Sequence, residues 1–309
     1  MTRSVLVVGE VLVDAIGSAA DPAIRPGGSP ANVAIGLARL GFPAELVTAY
    51  AQDTSGEIVK QWVEDSGVTL SPESAIVGST AVARATLDSA GVASYEFDID
   101  WSLPRFSADI LSGRPLVHVG SLGMFLEPGA SRVAELVRLA ASEGIPVSVD
   151  ANIRPSALPD PHTARVQFEN IVKRSSIVKL SDEDAAYLYP GLSAEGVVAR
   201  LHSLPSMVGL AGRTVALTQG ENGALIGSDS EVVRVFAPRT NVVDTIGAGD
   251  SFMSGLIYWL LMHDVNHWFS RDTLVDAGNF AVKCAAITVA RAGANPPHLD
   301  EVENFYAAI

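Results

Sequence analysis

The sequence contains one cysteine, Cys284, and fewer basic than acidic side chains. A single thiol can form neither an internal disulfide nor a cysteine-pair zinc site, so we expect a reducing compartment. The 21 Lys and Arg against 35 Asp and Glu give a formal charge of −14. That excess argues against a nucleic-acid partner, because phosphate backbones bind to basic surfaces. A small anionic ligand remains possible, since it needs only a local cluster of donors.

Long hydrophobic runs are also missing. The longest apolar stretch, residues 251–262, is too short to span a bilayer. The opening segment resembles a signal peptide in its apolar character, but Glu10 and Asp14 interrupt it. We therefore expect a cytoplasmic protein without a membrane partner. The composition, 48% hydrophobic and 18% charged, indicates a compact globular chain.

Short apolar runs alternate with segments of helical period through most of the chain. We predict strands at residues 5–8, 44–48, 116–119, 146–149, 177–180, 214–218 and 224–226. Helix patterns fall at residues 31–40, 56–65, 130–142, 163–173, 194–202, 251–262 and 273–289. Unbroken Val, Leu and Ile runs are typical of strands covered on both faces. The pattern predicts an α/β fold with a mainly parallel sheet, helices on each side, and ligands beyond the carboxyl ends of the strands.

Two stretches break this rhythm. Residues 10–16 and 81–97 have strand patterns without intervening helices, and residues 88–91 suit a hairpin turn. Antiparallel ribbons attached to a parallel core often form a lid. We therefore expect one domain over residues 1–309, with a lid inserted from approximately residues 10–24 and 75–102.

The most informative segment is Asp244-Thr-Ile-Gly-Ala-Gly-Asp250, which follows an apolar run and opens a helix. The small residues Gly247, Ala248 and Gly249 would let successive backbone N–H groups point at one anion at a helix N-terminus. Asp250 would repel a phosphate there unless its carboxylate takes a proton from an attacking hydroxyl. An anion cradle beside a general base is what phosphoryl transfer to an alcohol needs. The alternative is that Asp250 merely supports the start of the helix.

A second segment, residues 26–32, leads into an amphipathic helix pattern. Ser29 before a proline predicts an N-cap with proline in the first turn. Gly27 and Gly28 would let a ligand approach the backbone, and Asn32 offers donors and an acceptor that suit a sugar hydroxyl. A capped helix after a glycine turn, without any ligand, is the alternative.

These two segments, in their order and separation, resemble the signatures of the ribokinase-like (PfkB) carbohydrate kinases. Neither a Walker A loop nor a complete dinucleotide fingerprint is present, which makes a dinucleotide oxidoreductase remote. The resemblance implies a ribokinase-like three-layer α/β/α domain with a small β-strand lid, which transfers the γ-phosphoryl group of ATP to a sugar hydroxyl with Mg²⁺. Further landmarks of the family fall in order: Gly9-Glu10 with Asp14, Asp53-x-x-Gly56, Asp150-x-Asn152-x-Arg154-Pro155, Thr218-x-Gly220-x-x-Gly223 and Gly293-Ala294.

The resemblance also implies roles for individual residues. Asp250 would be the catalytic base, and the backbone N–H groups of residues 247–250 would form the anion hole. Arg154, after an apolar strand, could fork onto a transferring phosphate or a substrate carboxylate, the alternative being an ion pair with Asp150. The sugar would be held by Asp14, Gly27, Gly28, Asn32, Asn152, Arg154 and Asp250.

The same resemblance implies which residues would bind the nucleotide and which would bind the ions. In the family an Asn-x-x-Glu motif arranges Mg²⁺ through water; Ser181 and Asp184 stand there, and the shorter carboxyl lies a methylene further back. Val282 would lie near the adenine, although core packing predicts the same residue type. The nucleotide residues are Lys179, Ser181, Thr218, Gly220, Gly223, Gly249 and Val282; a monovalent cation such as K⁺ would bind to Asp244, Ile246, Thr288, Arg291 and Gly293.

The substrate is indicated by two features. The motif Asp-x-Asn-x-Arg-Pro is similar to that of fructokinases and 2-keto-3-deoxygluconate kinases, and residues 94–101 look like the lid strand of bacterial fructokinases. We expect fructose as the acceptor. One alternative is 2-keto-3-deoxygluconate, whose carboxylate Arg154 would clamp; another is a non-catalytic sugar- or nucleotide-binding protein of the same fold. The family also suggests a homodimer through the lid strands.

Overall fold

The fold is described from a computed structural model, which covers residues 3–18, 21–87, 93–158, 160–207, 209–210 and 212–305. Its strands are β1 Val5–Val8, β2 Leu12–Ser18, β3 Asp21–Gly27, β4 Ala44–Val47, β5 Ala49–Tyr50, β6 Thr69–Leu70, β7 Ala75–Ile76, β8 Val82–Leu87, β9 Ala93–Asp98, β10 Val117–Gly120, β11 Val147–Asp150, β12 Ile177–Ser181, β13 Thr214–Thr218, β14 Ala224–Gly227 and β15 Val232–Val235. Its helices are α1 Ser29–Arg39, α2 Thr54–Asp65, α3 Gly129–Ser142, α4 Pro161–Val172, α5 Asp182–Leu188, α6 Ala194–His202, α7 Ala248–Leu261, α8 Arg271–Val289 and α9 Leu299–Glu303.

A nine-stranded sheet forms the centre of the molecule, in the order β15-β14-β13-β12-β11-β10-β1-β4-β6. All neighbours from β6 to β13 are parallel, whereas β14 and β15 run antiparallel to the strands beside them. Every residue of β1, β10 and β11 is buried, as unbroken apolar runs predict for strands covered on both faces. The mainly parallel sheet predicted from the sequence is confirmed.

Helices cover both faces of this sheet and give three layers. One face packs with α3, α4 and α6, whose buried side chains include Val137, Phe168 and Leu201. The other face packs with α1, α7 and α8 through side chains such as Leu37 and Leu256. Successive side chains of a strand point to opposite faces, so each strand contributes to both cores. The predicted α/β/α architecture is therefore correct.

Element positions agree closely with the sequence pattern, but several short elements were not predicted, among them β5, β6, β7, β15, α5 and α9. The helix at Ala194–His202 and the strands Val5–Val8 and Thr214–Thr218 have the predicted bounds. The strand Val232–Val235 and the helix Asp182–Leu188 were not predicted. The first is short and half exposed, and the second begins with three acidic residues and has only seven residues in all.

A second sheet of four strands, in the order β3-β2-β8-β9, forms the predicted lid. The pair β2 and β8 is parallel, and the two outer pairs are antiparallel. The turn predicted at residues 88–91 lies outside the described residues. Strand β3 ends at Gly27 directly before α1, so the lid joins the core at a helix N-terminus. Among the described helices, none has both the length and the apolar character needed to cross a membrane.

Candidate active site

The polar segments singled out in the sequence converge at the carboxyl edge of the central sheet. At this edge loops follow β1 and β11, a 3₁₀ turn follows β10 and α5 follows β12, and α1 and α7 both begin there. Two non-glycine residues with positive φ lie just after these strands: Ser121 at 53° and Asn152 at 37°. Such conformations are uncommon outside glycine and often accompany functional sites. Ligand crevices of open parallel sheets form at this edge.

Asp250 lies at the centre of this convergence, in the first turn of α7, and is only 6% exposed. Its carboxylate accepts hydrogen bonds from the Ser29 hydroxyl at 2.6 Å, from Asn32 Nδ2 at 2.8 Å and from Asn152 Nδ2 at 3.2 Å. The three donors come from the start of α1 and from the loop after β11, far apart in the sequence. The carboxylate is thus oriented by two other elements, which a simple helix-start role would not require.

Ser29 does not cap α1 as predicted. The N-cap is Gly28, at φ 119°, and no side chain caps this helix end. A cap hydroxyl would accept from a backbone N–H group, whereas the Ser29 hydroxyl donates to the charged Asp250 carboxylate, a stronger interaction. Gly28 is needed twice over: its φ favours glycine, and a Cβ there would lie 2.5 Å from the Glu10 carbonyl oxygen.

The predicted sugar residues lie around the same carboxylate. Asp14, on β2 of the lid, is half-buried, and its Oδ2 atom would lie 2.8 Å from a Cβ added at Gly27. Burial raises the pKa of the Asp14 carboxyl, and the nearby Arg154 partly opposes this. Asn32 Oδ1 is buried and has no hydrogen-bond partner among the described residues. An unpaired buried acceptor is costly unless a ligand supplies a donor, as a hydroxyl would.

Arg154 does not form the ion pair with Asp150 that was the alternative to a ligand role. Its guanidinium donates to the Ile153 carbonyl oxygen at 3.0 Å and has no carboxylate partner among the described residues. It lowers the pKa of the Asp14 and Glu10 carboxyls through its charge. The side chain is exposed, at the carboxyl edge beside the lid.

Asp150 is paired instead with Lys179. The ammonium lies 3.0 Å from Asp150 Oδ2, and the two side chains are 4% and 0% exposed. Burial raises the pKa of Asp150 to about 7, although the Lys179 ammonium opposes this. Burial lowers the pKa of Lys179, but the carboxylates of Asp150, Asp184 and Asp250 outweigh that effect and raise it overall.

Asp184, predicted to position Mg²⁺ through water, forms a capping box with Ser181 at the start of α5. Ser181 N–H donates to Asp184 Oδ2 at 2.8 Å, and Asp184 N–H donates to the Ser181 hydroxyl at 3.0 Å. Asp184 Oδ1 accepts from Ile153 N–H at 2.7 Å, so the carboxylate also fixes the loop after β11. Among the described residues, no three His, Cys, Asp or Glu side chains form a group that could hold a metal ion.

The predicted nucleotide residues fall in separate places: Lys179 and Gly249 meet at the start of α7, whereas Thr218, Gly220 and Gly223 lie at the end of β13 and in the turn after it. Thr218 ends β13, and Gly220 and Gly223 flank the short 3₁₀ turn that follows, both with positive φ. Val282 is 5% exposed and belongs to the core cluster that packs α8 on the sheet, so an adenine contact stays a prediction. Phe236, which no sequence motif singled out, follows β15 beside Gly223 and is 72% exposed.

Among the predicted monovalent-cation residues, Asp244 connects the loop before α7 with the loop after α8. Asp244 accepts from Ile246 N–H at 3.0 Å and from Gly293 N–H at 2.8 Å, and these backbone hydrogen bonds lower its pKa. Thr288 is buried, and its hydroxyl donates to Ser251 Oγ or the Cys284 carbonyl oxygen. Arg291, just after α8, forms an ion pair with Glu301 of α9. The residues lie beside the start of α7, next to the predicted anion hole.

Comparison with known proteins identifies the class and then the family. The architecture is the ribokinase-like fold, shared by solved sugar-kinase structures over nearly the whole chain. The sequence matches the pfkB family carbohydrate kinase over residues 2–301. This chain belongs to that family, as its two signature segments predicted.

Three relatives place the chain within the family. It is 31% identical to the fructokinase of Rhizobium leguminosarum bv. trifolii, over 84% of this chain and 81% of that protein. A fructokinase from Xylella fastidiosa with bound ATP superimposes with a TM-score of 0.86 at 25% identity, over 98% of both chains. A double-mutant fructokinase from Vibrio cholerae O395, bound to fructose, ADP and a potassium ion, gives a TM-score of 0.77 at 25% identity, over 95% of this chain and 94% of that one.

Proposed function

We propose that this protein is an ATP-dependent fructokinase, which transfers the γ-phosphoryl group of ATP to fructose and forms fructose 6-phosphate. The observation that carries the proposal is the Asp250 carboxylate, held by Ser29, Asn32 and Asn152 in the first turn of α7. Family membership and the fructokinase relatives support phosphorylation of a sugar, and fructose in particular.

In this mechanism the acceptor hydroxyl attacks the γ-phosphorus in line with the leaving ADP oxygen. Asp250 accepts the hydroxyl proton as the new P–O bond forms, a contribution of about 10²–10⁴-fold. The N–H groups of residues 247–250 stabilise the charge that develops on the phosphoryl oxygens. Three donors orient the base before the sugar arrives, so little reorganisation is needed during the reaction.

The sugar would lie between the lid and the start of α1. Asp14 can accept from two neighbouring hydroxyls, Asn32 Oδ1 from a third, and the backbone at Gly27 and Gly28 leaves room for close approach. Asn152, turned by its positive φ toward Asp250, would contact the same sugar. Arg154 has no carboxylate partner among the described residues, so its guanidinium would be available to contact the transferring phosphoryl group.

The nucleotide would extend from Gly249 and Lys179 past Ser181 to the turn formed by Thr218, Gly220 and Gly223. The exposed ring of Phe236 and the alkyl side chain of Val282 would lie near the adenine. An exposed aromatic ring beside a glycine turn suits a flat base, since stacking removes the ring from water. Adenine contacts with these side chains would add affinity without affecting the transferred group.

The donor set is compatible with ions that arrive with the nucleotide. Mg²⁺ would supply positive charge that neutralises the charge developing during transfer. Asp184 would hold it through water, because both carboxylate oxygens already accept backbone N–H groups and retain only further lone pairs. For K⁺, the ionised Asp244 and the carbonyl groups of Ile246, Thr288, Arg291 and Gly293 would form the site, since Asp244 joins the two loops that carry them.

The test is a coupled ATP-turnover assay over fructose, 2-keto-3-deoxygluconate, ribose and adenosine. We expect turnover with fructose to exceed that with each other acceptor by at least about tenfold in kcat/KM. A preference for 2-keto-3-deoxygluconate would instead assign Arg154 to a substrate carboxylate. Absence of turnover with all four, with ATP binding intact, would contradict the proposal and favour a binding protein. Cytoplasmic location and a homodimer through the lid strands stay predictions.

A further inference from the structure

The first entry of the chain into the lid and its last exit are both bonded to one residue of the core, Gly123. Glu10 lies between β1 and β2, where the chain first enters the lid, and Trp101 follows β9, where it leaves the lid for the last time. Glu10 Oε2 accepts from the Gly123 N–H group at 2.9 Å, and Trp101 Nε1 donates to the Gly123 carbonyl oxygen at 2.8 Å. Entry and exit therefore share one anchor.

This anchor is closely packed. Glu10 is 2% exposed and Trp101 is 3% exposed, and Gly123 is buried between them. A Cβ added at Gly123 would lie 3.1 Å from Trp101 Cζ2 and 3.2 Å from Glu10 Oε2. The indole also lies against Gly129, the first residue of α3, whose N–H group donates to the Trp101 carbonyl oxygen at 2.8 Å. Neither side chain can move far while both bonds to Gly123 persist.

The buried carboxyl group of Glu10 needs a physical reason. It forms no ion pair among the described residues, although burial without a cationic partner is costly. Burial raises its pKa to about 7, which hydrogen bonds from the Ser121 hydroxyl and from backbone N–H groups, and the charge of Arg154, oppose. An apolar residue would avoid that cost but leave the buried Gly123 N–H group without its acceptor. The carboxyl group is therefore explained by the fixed position of Gly123.

The anchor lies next to both lid segments that were assigned to the sugar. A Cβ added at Gly28 would lie 2.5 Å from the Glu10 carbonyl oxygen. Asp14 follows Glu10 by four residues, which is at most about 13 Å of extended chain at about 3.3 Å per residue. A rotation of about 5° at the anchor would then move Asp14 by about 1 Å, and displacements of that size disturb a bound geometry. Small changes at Gly123 should therefore reach the sugar.

We propose that Glu10 and Trp101 are positioning residues, which hold Gly123 from two sides and thereby fix the lid so that Asp14 meets the sugar. Neither side chain contacts the reacting atoms in this role. The proposal rests on the kinase function proposed above and identifies the residues that orient its sugar carboxylate. The alternative is a local role, in which Glu10 only satisfies an N–H group of the 3₁₀ turn after β10 and Trp101 only packs on α3.

The experiment compares Glu10→Met, Glu10→Gln and Trp101→Phe with wild type, and Trp268→Phe is the matched control. Trp268 lies between α7 and α8, is 2% exposed, and donates from Nε1 to the His263 carbonyl oxygen at 3.2 Å. The control thus removes the same kind of bond from another buried indole. Glu10→Gln keeps an acceptor for the Gly123 N–H group, whereas Glu10→Met removes it. The acceptor substrate is whichever of the four compounds above wild type turns over best.

The kinetic constants separate a positioning role from a local one. We expect Glu10→Met and Trp101→Phe to raise KM for the acceptor about tenfold and to leave kcat and KM for ATP within about threefold. Glu10→Gln and Trp268→Phe should stay within about threefold of wild type in all three constants. Because both side chains act on Gly123, the double variant should raise KM by less than the product of the single effects. A local role would lower the melting temperature of Glu10→Met and leave KM unchanged.

Hydrogen exchange measures the lid without any substrate. The amide protons of β2 and β8 should exchange at least about threefold faster in Glu10→Met and Trp101→Phe, because the lid loses an anchor. Those of β1 and β10 should keep wild-type rates, and Trp268→Phe should leave the lid unchanged. Since the free enzyme is measured, this result does not depend on which acceptor the enzyme uses.

The outcomes distinguish the two proposals. If wild type phosphorylates none of the four acceptors, the proposed function fails, and exchange in the lid alone decides whether Gly123 anchors it. If wild type is active, an unchanged acceptor KM or unchanged lid exchange in folded Glu10→Met and Trp101→Phe overturns the positioning role, as does an equal rise of KM in Trp268→Phe. Should Glu10→Met fail to fold, as a melting curve would report, Trp101→Phe decides by the same criteria.

Discussion

The two ends of the central sheet use buried charge in different ways. At the amino end, Arg114 donates to the Ile110 carbonyl oxygen, Ser4 Oγ and Glu45 Oε2, at 2.9, 2.5 and 2.6 Å. These contacts join the segments that enter β10, β1 and β4. At the carboxyl end, the Lys179 ammonium donates to one carboxylate, that of Asp150. The Asn32 Oδ1 atom accepts no hydrogen bond from the described residues. Each nitrogen of the Arg114 guanidinium thus has a partner within the fold, whereas the residues of the site at the carboxyl end keep donors and acceptors available.

Backbone strain follows the same division. The two non-glycine residues with positive φ in the described part of the chain, Ser121 and Asn152, both follow carboxyl ends of strands. Strained conformations persist where the surrounding structure enforces them, and they concentrate at functional sites. The positions of Ser121 and Asn152 therefore set the carboxyl edge, where the site forms, apart from the amino end.

The largest effect on activity that would sharpen this contrast is expected from Asn32→Ala. The substitution removes a donor to Asp250 and the unpaired Oδ1 acceptor, so kcat/KM for the sugar should fall by about 10²-fold. The melting temperature should change little, because the buried acceptor is unsatisfied in the free protein. Steady-state kinetics and a thermal melt measure both. A variant that is destabilised yet fully active per folded molecule would break the contrast.

Arg114→Met tests the opposite end. It removes three hydrogen bonds at a half-buried position, so the free energy of unfolding should fall by about 2 kcal/mol. Because this residue is remote from the carboxyl edge, kcat and KM at 25 °C should stay at wild-type values. Urea unfolding and the coupled assay give the two numbers. Loss of turnover in a folded Arg114→Met protein would show that the two ends are not independent.

Gly249→Ala offers a smaller change inside the site. The added Cβ would lie 2.7 Å from Lys179 Nζ, so the ammonium must shift, and we expect kcat to fall about tenfold. Gly78→Ala is the matched control, because an added Cβ there meets nothing within 4 Å and its φ is ordinary. Parallel kinetics of the two variants decide the point. Equal activities would indicate that Lys179 can move without consequence.

The smallest expected effect is a change in the free energy of unfolding with pH. His118 is fully buried on β10, its Nδ1 atom lies 2.9 Å from Ser148 Oγ, and burial lowers its pKa to about 3. A depressed histidine pKa gives stability that is present above the unfolded value near 6.5 and is lost as pH falls toward 3. The expected loss is about 1 kcal/mol per pH unit below 6.5.

The variant His118→Asn should reduce that acid-side slope. Glu10 works in the other direction, since burial raises its pKa to about 7 and its contribution to stability is lost as pH rises from 4.5 through 7. Unfolding free energies of wild type, His118→Asn and Glu10→Gln between pH 5 and 8 resolve the two contributions. Identical pH profiles for wild type and His118→Asn would contradict the assignment.

The sequence predicted the parallel core and the main segments of the site because both are local patterns. Runs such as Val5–Val8 are apolar throughout, which only strands covered on both faces tolerate. The glycine-rich start of α7 carries its signal in adjacent residues. The partners of individual side chains, by contrast, could not be predicted from local patterns. Ser29 looked like a helix cap because the sequence does not reveal that Asp250 lies within 2.6 Å of its hydroxyl.

The partner of Asp150 was missed for a similar reason. Arg154 is close in sequence and of opposite charge, but the strand ends at Asp150 and the chain then turns, so the two side chains diverge. Lys179 meets Asp150 across the sheet ladder, in a register that depends on the packing of both faces. Local patterns therefore identify elements, whereas cross-strand pairing decides which charges meet.

Asp250→Asn, measured for both fructose binding and phosphoryl transfer, tests whether this carboxylate is the catalytic base. The amide keeps the shape and some of the hydrogen bonds but cannot accept the hydroxyl proton. Calorimetry should give fructose affinity within about threefold of wild type, while single-turnover transfer should slow by about 10²–10⁴-fold. Transfer within tenfold of wild type would contradict the central role assigned to this carboxylate.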